Sequence, residues 1–235
     1  MLGGFEARAK LPRVFIHGWG QSPEIWPREQ FAIDANDCLL SLPGHGGAGD
    51  VVADGWLDWL MAQFPKGEVA LVGWSLGAML ALQLAARLPE RIQSLQLFAA
   101  TPAFCKRSDW PHGVELAQLE AMADSVRGKQ KSEGLAHFTR LMLHGEGIMR
   151  AALRQSVAEH LAMIPLPTDS GLEAGLILLR RLDLRGELAA VHQPVHLVHG
   201  VQDAVVPIAA AQWLLAHLPN AHGEWRQQCG HLAWR

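Results

Sequence analysis

Val69-Ala-Leu-Val-Gly-Trp-Ser-Leu-Gly-Ala78 decides how this chain folds. Val69 to Val72 is a short apolar run of the kind that forms a buried strand. Gly73-Trp74-Ser75-Leu76-Gly77 fits the pattern G-x-S-x-G, and Leu76 to Leu88 reads as a helix. Strand, tight turn and helix are the context in which this pattern becomes a nucleophile elbow. The turn strains the backbone at Ser75, and the flanking glycines let neighbouring chain approach without a Cβ clash. Such a serine stands exposed at the sheet edge. The N–H of Leu76, at the helix N-terminus, faces the place where negative charge would develop.

Working outward, the same alternation repeats. Val14-Phe-Ile16 predicts a strand that ends in His17-Gly-Trp-Gly20. Open α/β sheets place ligand contacts in loops of this position, and the two glycines would let the Trp19 N–H turn toward a cavity. Cys38 to Leu42 predicts a second strand, closed by Pro43-Gly-His-Gly-Gly47. Asp54 is expected to cap a helix that carries Trp56, Leu57, Leu60 and Phe64 at helical spacing. Ser94 to Ala100, Val195 to Val198 and Gly223 to Gln227 predict further strands, with a helix at Trp213, Leu214 and Leu218 between the last two. Strands alternating with helices imply an α/β fold with a mostly parallel sheet covered on both faces.

The pattern breaks between about Cys105 and Arg185. Four apolar stripes at helical spacing run through Leu116–Val126, Leu135–Met142, Ile148–Leu161 and Leu172–Leu182, punctuated by Gly128, Gly145, Pro165 and Pro167. The expected organisation is therefore core at 1–104, helical lid at 105–185 and core again at 186–235. A lid over the strand ends would exclude water and shape a pocket.

Composition narrows the function classes. Hydrophobic residues make up 49% and charged residues 18%, which supports a buried core and excludes a disordered chain. A formal net charge of −3 argues against nucleic acid or an anionic membrane as partner. Cys38, Cys105 and Cys229 are odd in number and widely spaced, which predicts neither a disulfide scaffold nor a metal framework. No signal-peptide pattern and no apolar run of about 18 residues is present, so a cytoplasmic protein is expected.

A serine hydroxyl needs a base within hydrogen-bond reach, and that base needs a group to fix its tautomer. His231 and Asp203 are the candidates, because both follow predicted strands and the order Ser, Asp, His suits such a sheet. Twelve histidines compete for the role. His199 reads as structural, and His17, His45, His137 and His144 as candidates to line the cavity. Asp183 is the next candidate acid.

The loops HGWG and SLPGHGG, the elbow GWSLG, the turn HGVQD at 199–203 and the terminal Gly230-His231 resemble the α/β-hydrolase superfamily. Within it the combination, with Leu88-Pro-Glu-Arg-Ile92 and Asp109-Trp-Pro111, is similar to the pimeloyl-[acyl-carrier-protein] methyl ester esterase family of biotin synthesis, from about Pro12 to His231. The resemblance implies a serine carboxylesterase without metal or other cofactor, with Ser75 as nucleophile, Asp203 as orienting acid and His231 as base. It implies an oxyanion hole from the Trp19 and Leu76 N–H groups. Phe138, Thr139, Arg140, Leu141 and Met142 align with the family's acyl-pocket lid segment. Family lids meet the acidic acyl carrier protein with arginines. Arg150 and Arg154, at i and i+4, match two such positions, while Glu133 and His137 occupy two others. A monomer is expected. Two departures stand out: a shorter N-terminus than the family's pair of antiparallel edge strands, and no helix after His231. The second predicts a base held less firmly. Alternatives are a general short- or medium-chain carboxylesterase and a hydrolase-like ligand-binding module. The PGHGG loop also resembles a menaquinone-pathway synthase, although Met79 stands where that enzyme typically carries arginine.

Overall fold

The computed structural model describes residues 11–235, with the side chain of Arg150 excepted. The expected N-terminal departure lies outside the described residues. Among the described residues six strands form one sheet: β1 (Arg13–Ile16), β2 (Cys38–Leu40), β3 (Val69–Trp74), β4 (Ile92–Phe98), β5 (Val195–Gly200) and β6 (Ala221–Arg226). Their spatial order is β2-β1-β3-β4-β5-β6, and every pair is parallel. The chain builds outward from β1 to β2, then crosses back to start β3 on the other side of β1. That reversal opens a crevice beyond the carboxyl ends of β1 and β3, where open parallel sheets bind ligands. The register pairs Ile16 with Gly73, so the loops after β1 and β3 leave side by side.

Helix α1 (Trp56–Met61), helix α2 (Leu76–Arg87) and, much later, helix α7 (Ile208–His217) follow strands of the sheet, as alternation requires. α2 buries nine of its twelve residues. A helix enclosed on nearly all sides is apolar all round rather than striped. Each large side chain it buries contributes roughly 1.5–3 kcal/mol. Asp54 does not cap α1. The residue ahead of that helix is Gly55, in a short 3-10 turn, and the Asp54 carboxylate instead pairs with Arg181 at 2.8 Å.

Between β4 and β5 lie α3 (Leu116–Ser125), α4 (Lys131–Met142), α5 (Arg150–Met163) and α6 (Asp169–Arg181). Only isolated bridges, such as Ala103 with Asp183, interrupt the helical character there. α6 carries Gly171 and Gly175 one turn apart. A Cβ at Gly171 would lie 2.7 Å from the Gly44 Cα, and one at Gly175 would lie 2.5 Å from the Trp19 ring. The loops after β1 and β2 therefore rest directly on this helix. Thr168 caps it by accepting the Gly171 N–H, while its own N–H donates to the Gly44 carbonyl.

Candidate active site

Three loops from the carboxyl edge of the sheet bring Ser75, Asp203 and His231 together. Ser75 sits between β3 and α2 with φ 56° and ψ −120°, a conformation that non-glycine residues rarely adopt. Close packing holds it there. A Cβ at Gly77 would strike the carbonyl oxygens of Ile16 and His17, and one at Gly73 would lie 2.7 Å from the Ala78 Cα. The Ser75 N–H donates to the Phe98 carbonyl. Both glycines of the elbow are thus required by contact, and the serine backbone takes up the remaining strain.

The Ser75 hydroxyl lies 3.0 Å from His231 Nε2, and His231 Nδ1 lies 2.8 Å from Asp203 Oδ2. With Nδ1 carrying the proton toward the carboxylate, Nε2 is left to accept from the hydroxyl. The other carboxylate oxygen, Oδ1, accepts the N–H groups of Val205 and Val206 at 2.7 and 2.9 Å. Burial pushes the Asp203 carboxyl toward a higher pKa. The attraction and hydrogen bond of His231, with His199 and the Val206 N–H, outweigh it, and the pKa falls below the ordinary carboxylate value. The pair is therefore an ionised acid holding a correctly oriented imidazole.

His231 is buried and held on several sides. The Trp74 indole N–H donates to the His231 carbonyl at 2.9 Å. The Trp74 ring sits 5.3 Å from the imidazole and 5.0 Å from Trp234. Trp234 in turn packs against Trp26, Phe31 and Phe98, and its carbonyl accepts from Gln30. This aromatic cluster supports the base from the sheet side.

Trp19 and Leu76 flank the serine. Leu76 opens α2, where the first N–H groups lack an acceptor inside the helix. Among the described residues neither its N–H nor that of Trp19 has a hydrogen-bond acceptor. Gly18 lies so close that a Cβ there would sit 3.1 Å from the Ser75 Cβ. The Trp19 indole N–H donates to the Leu172 carbonyl of α6, and its ring meets Phe138 edge-on at 5.1 Å.

Several histidines prove to be stitching groups. His17 Nε2 accepts the Leu42 N–H at 3.0 Å, and His45 Nε2 accepts the Gly20 N–H at 3.1 Å. Each Nδ1 faces a carbonyl of its own loop, Gly18 for His17 and Pro43 for His45. The HGWG and PGHGG loops therefore clasp each other reciprocally. Burial, with His45 nearby, drives the His17 pKa down to about 3, and burial drives that of His45 to about 4. Both stay neutral near pH 7, as acceptors of N–H groups must. Neither lines an open cavity. Burial also lowers the His199 pKa, and its Nε2 donates to the Val206 carbonyl. Asp183 is bound to Arg185 and Arg107, while the partner of His231 Nδ1 is Asp203.

A cavity of about 880 Å³ lies beside the triad, between α3, α4 and the loop after β5. Phe104, Val114, Leu119, Met122, Phe138, Leu141 and Val205 make it apolar, and Lys106, Glu115, Gln118 and His137 give it a polar side. Asp203 shares its wall, whereas Ser75 is only 7% exposed and does not line it. Of residues 138–142, Phe138 and Leu141 face this space, as i and i+3 on one helix face do. Thr139 donates its hydroxyl to the Leu135 carbonyl, Met142 is buried in the core and Arg140 is exposed. The five residues therefore do not line the cavity as one run. Arg154 is exposed on α5, and the Arg150 side chain lies outside the described part. His144 is exposed, with Nδ1 3.3 Å from the Gln202 carbonyl. Among the described residues no cluster of His, Cys, Asp and Glu is arranged to hold a metal ion, and no helix is long and apolar enough to cross a membrane.

Three kinds of comparison bear on this geometry. A family model described as alpha/beta hydrolase fold matches residues 14–234. A pimeloyl-[acyl-carrier protein] methyl ester esterase of Nitrosomonas europaea is 36% identical, over 93% of this chain and 87% of its own length. One from Aromatoleum aromaticum is 34% identical, over 93% and 90%. Among solved structures, an esterase from Exiguobacterium antarcticum superposes with a TM-score of 0.80 at 18% identity, covering 94% of this chain and 85% of its own. A bromoperoxidase from Bacillus anthracis gives 0.79 at 21%, with the same coverage. An esterase and a bromoperoxidase sharing one architecture show that the fold alone does not choose the chemistry.

Proposed function

This chain belongs to the α/β-hydrolase family and, inside it, to the pimeloyl-[acyl-carrier protein] methyl ester esterases; from that premise we propose how its own residues run the reaction. It is a carboxylic ester hydrolase. Its substrate is the methyl ester of a pimeloyl chain carried on acyl carrier protein, and its products are the free acid and methanol, a step of biotin synthesis.

Ser75 Oγ attacks the ester carbonyl while its proton passes to His231 Nε2. Asp203 stabilises the imidazolium that forms, and the N–H groups of Trp19 and Leu76 receive the oxyanion. Collapse of the tetrahedral adduct breaks the bond to the methoxy oxygen, which leaves as methanol with the proton from His231. Water then attacks the acyl-serine, gives its proton to the same imidazole and releases the acid. The observation that carries this reading is the 3.0 and 2.8 Å relay from a strained serine through His231 to Asp203.

Helices α3 to α6 serve as a cap in this reading, and Phe138 and Leu141 contribute to the acyl pocket. With Ser75 so enclosed, substrate entry requires Phe138 and its neighbours to part from the Trp19 ring. Arg150 and Arg154 are the candidate contacts to the acidic carrier, and the Arg154 side chain is exposed. The deciding experiment is hydrolysis of the pimeloyl-carrier methyl ester by Ser75→Ala. Its kcat should fall on the order of 10⁴-fold or more, with a residue of catalysis from the oxyanion donors. Turnover by Ser75→Ala within tenfold of the parent would falsify the mechanism.

A further inference from the structure

The turn between α4 and α5, His144-Gly145-Glu146-Gly147, reaches out of the cap into both loops that carry the base and the acid. A Cβ at Gly145 would lie 2.6 Å from the Gln202 Cβ, next to Asp203 in the chain. A Cβ at Gly230 would collide with the His144 carbonyl oxygen. The fit admits only glycine at both contact points. From this seat Glu146 Oε1 accepts the Gly230 N–H at 2.8 Å. Gly230 immediately precedes His231. The carboxylate thus holds the loop of the base from the cap side, while Trp74 holds the His231 carbonyl from the sheet side.

We propose that Glu146 is a positioning residue for ester hydrolysis: it fixes the backbone immediately before His231, so that closure of the cap and alignment of the base are one event. The inference rests on the triad mechanism above. A side chain that merely stabilised the cap would find its partners within the cap, but this one spends its acceptors on the loop of the base. Glu146 meets no reacting atom in this scheme. Its removal should therefore leave substrate affinity largely intact and let Nε2 drift from the serine hydroxyl. Proton-transfer geometry of this kind loses rate steeply with sub-ångström displacement.

The test uses the full chain with Glu146→Ala, Glu146→Gln and Glu146→Asp, hydrolysing p-nitrophenyl butyrate, with fluorophosphonate labelling of Ser75 as a second readout. In Glu146→Ala, kcat and the labelling rate should both fall about ten- to hundredfold, with KM within about twofold of the parent. Glu146→Gln, which keeps an acceptor oxygen at the same reach, should recover most of the rate. Glu146→Asp, one methylene short, should behave like the alanine variant and keeps the test decisive if Glu146→Ala does not fold. Parental kcat in Glu146→Asp or Glu146→Ala, or a change confined to KM, overturns the proposal. Ser75→Ala, run alongside, separates the two readings: an inert Ser75→Ala with unaffected Glu146 variants sinks only the role of Glu146, whereas an active Ser75→Ala sinks the mechanism beneath it.

Discussion

Helices α6 and α5 belong to the same inserted segment, yet they are held in different ways. α6 buries seven of its thirteen residues and receives Gly44 and Trp19 against Gly171 and Gly175, so backbone meets backbone at the first and an indole ring meets backbone at the second. On α5 the described buried residues are Val157 and His160, and His160 touches the core through one side chain, with Nε2 2.8 Å from Gln21 Oε1. The cap is therefore anchored along one edge and tethered along the other. Close packing of glycines tolerates almost no displacement. A contact through one imidazole is exchanged far more easily. Opening of the cap should accordingly begin at α5, while α6 stays with the sheet, and full opening must also undo the seat of the α4–α5 turn at Gly145 and Gly230.

The largest expected effect comes from attacking the anchored edge. Gly175→Val should push the Trp19 ring off α6, costing on the order of 3 kcal/mol of stability as seen in a urea midpoint, and lowering kcat with it. Comparable stability in that variant would mean that the anchor is no anchor. A smaller effect is expected from acid. His160, like His17 and His45, is neutral through burial, with its pKa lowered to about 4. In the unfolded chain these histidines bind protons below about pH 6.5. The unfolded state therefore binds more protons between that pH and the native values, so stability is complete above pH 6.5 and drains as pH falls toward 4 and then 3. Thermal unfolding between pH 7 and 4 should show this decline. His160→Leu should remove the part due to the tethered edge and leave the part due to the clasped loops. Smaller again is Gly147→Ala in the α4–α5 turn, where φ is +66° and no atom lies within 4 Å of an added Cβ. Only backbone strain applies there, about 1–2 kcal/mol. The smallest effect on chemistry is Arg154→Ala. It should leave hydrolysis of small esters unchanged and raise KM severalfold for the carrier-bound substrate alone, an effect that shrinks with added salt.

The anchored and tethered parts were also unequally legible in the sequence. Alternation of strands and helices, and the glycines around Ser75, follow local rules of period and φ, and the observed strands and helices sit within a few residues of those read from the pattern. The four cap helices announced themselves by apolar spacing, yet nothing in that spacing revealed that Gly171 and Gly175 make the seam. The supports of the site were harder still. His17 to Leu42, Trp74 to His231 and Glu146 to Gly230 each join a side chain to a backbone group 25 to 157 residues away. Partnerships of that kind leave no periodic trace. Asp54 shows the converse: a good cap residue ahead of a helix was drawn off by an arginine 127 positions later. A signal did exist for the clasp, since both loops place histidine beside glycine, but not for which N–H each ring would accept.

The twisted backbone of Ser75 has one more consequence. Conformations of this sort cost about 1–3 kcal/mol, and glycine adopts them freely, at an entropic expense nearer to 1 kcal/mol. Ser75→Gly should therefore melt no earlier than the parent, and several degrees later if the strain is at the upper end, while being chemically dead. Endurance and turnover compete at a single Cα, and a chain chosen for longevity alone would have no hydroxyl there.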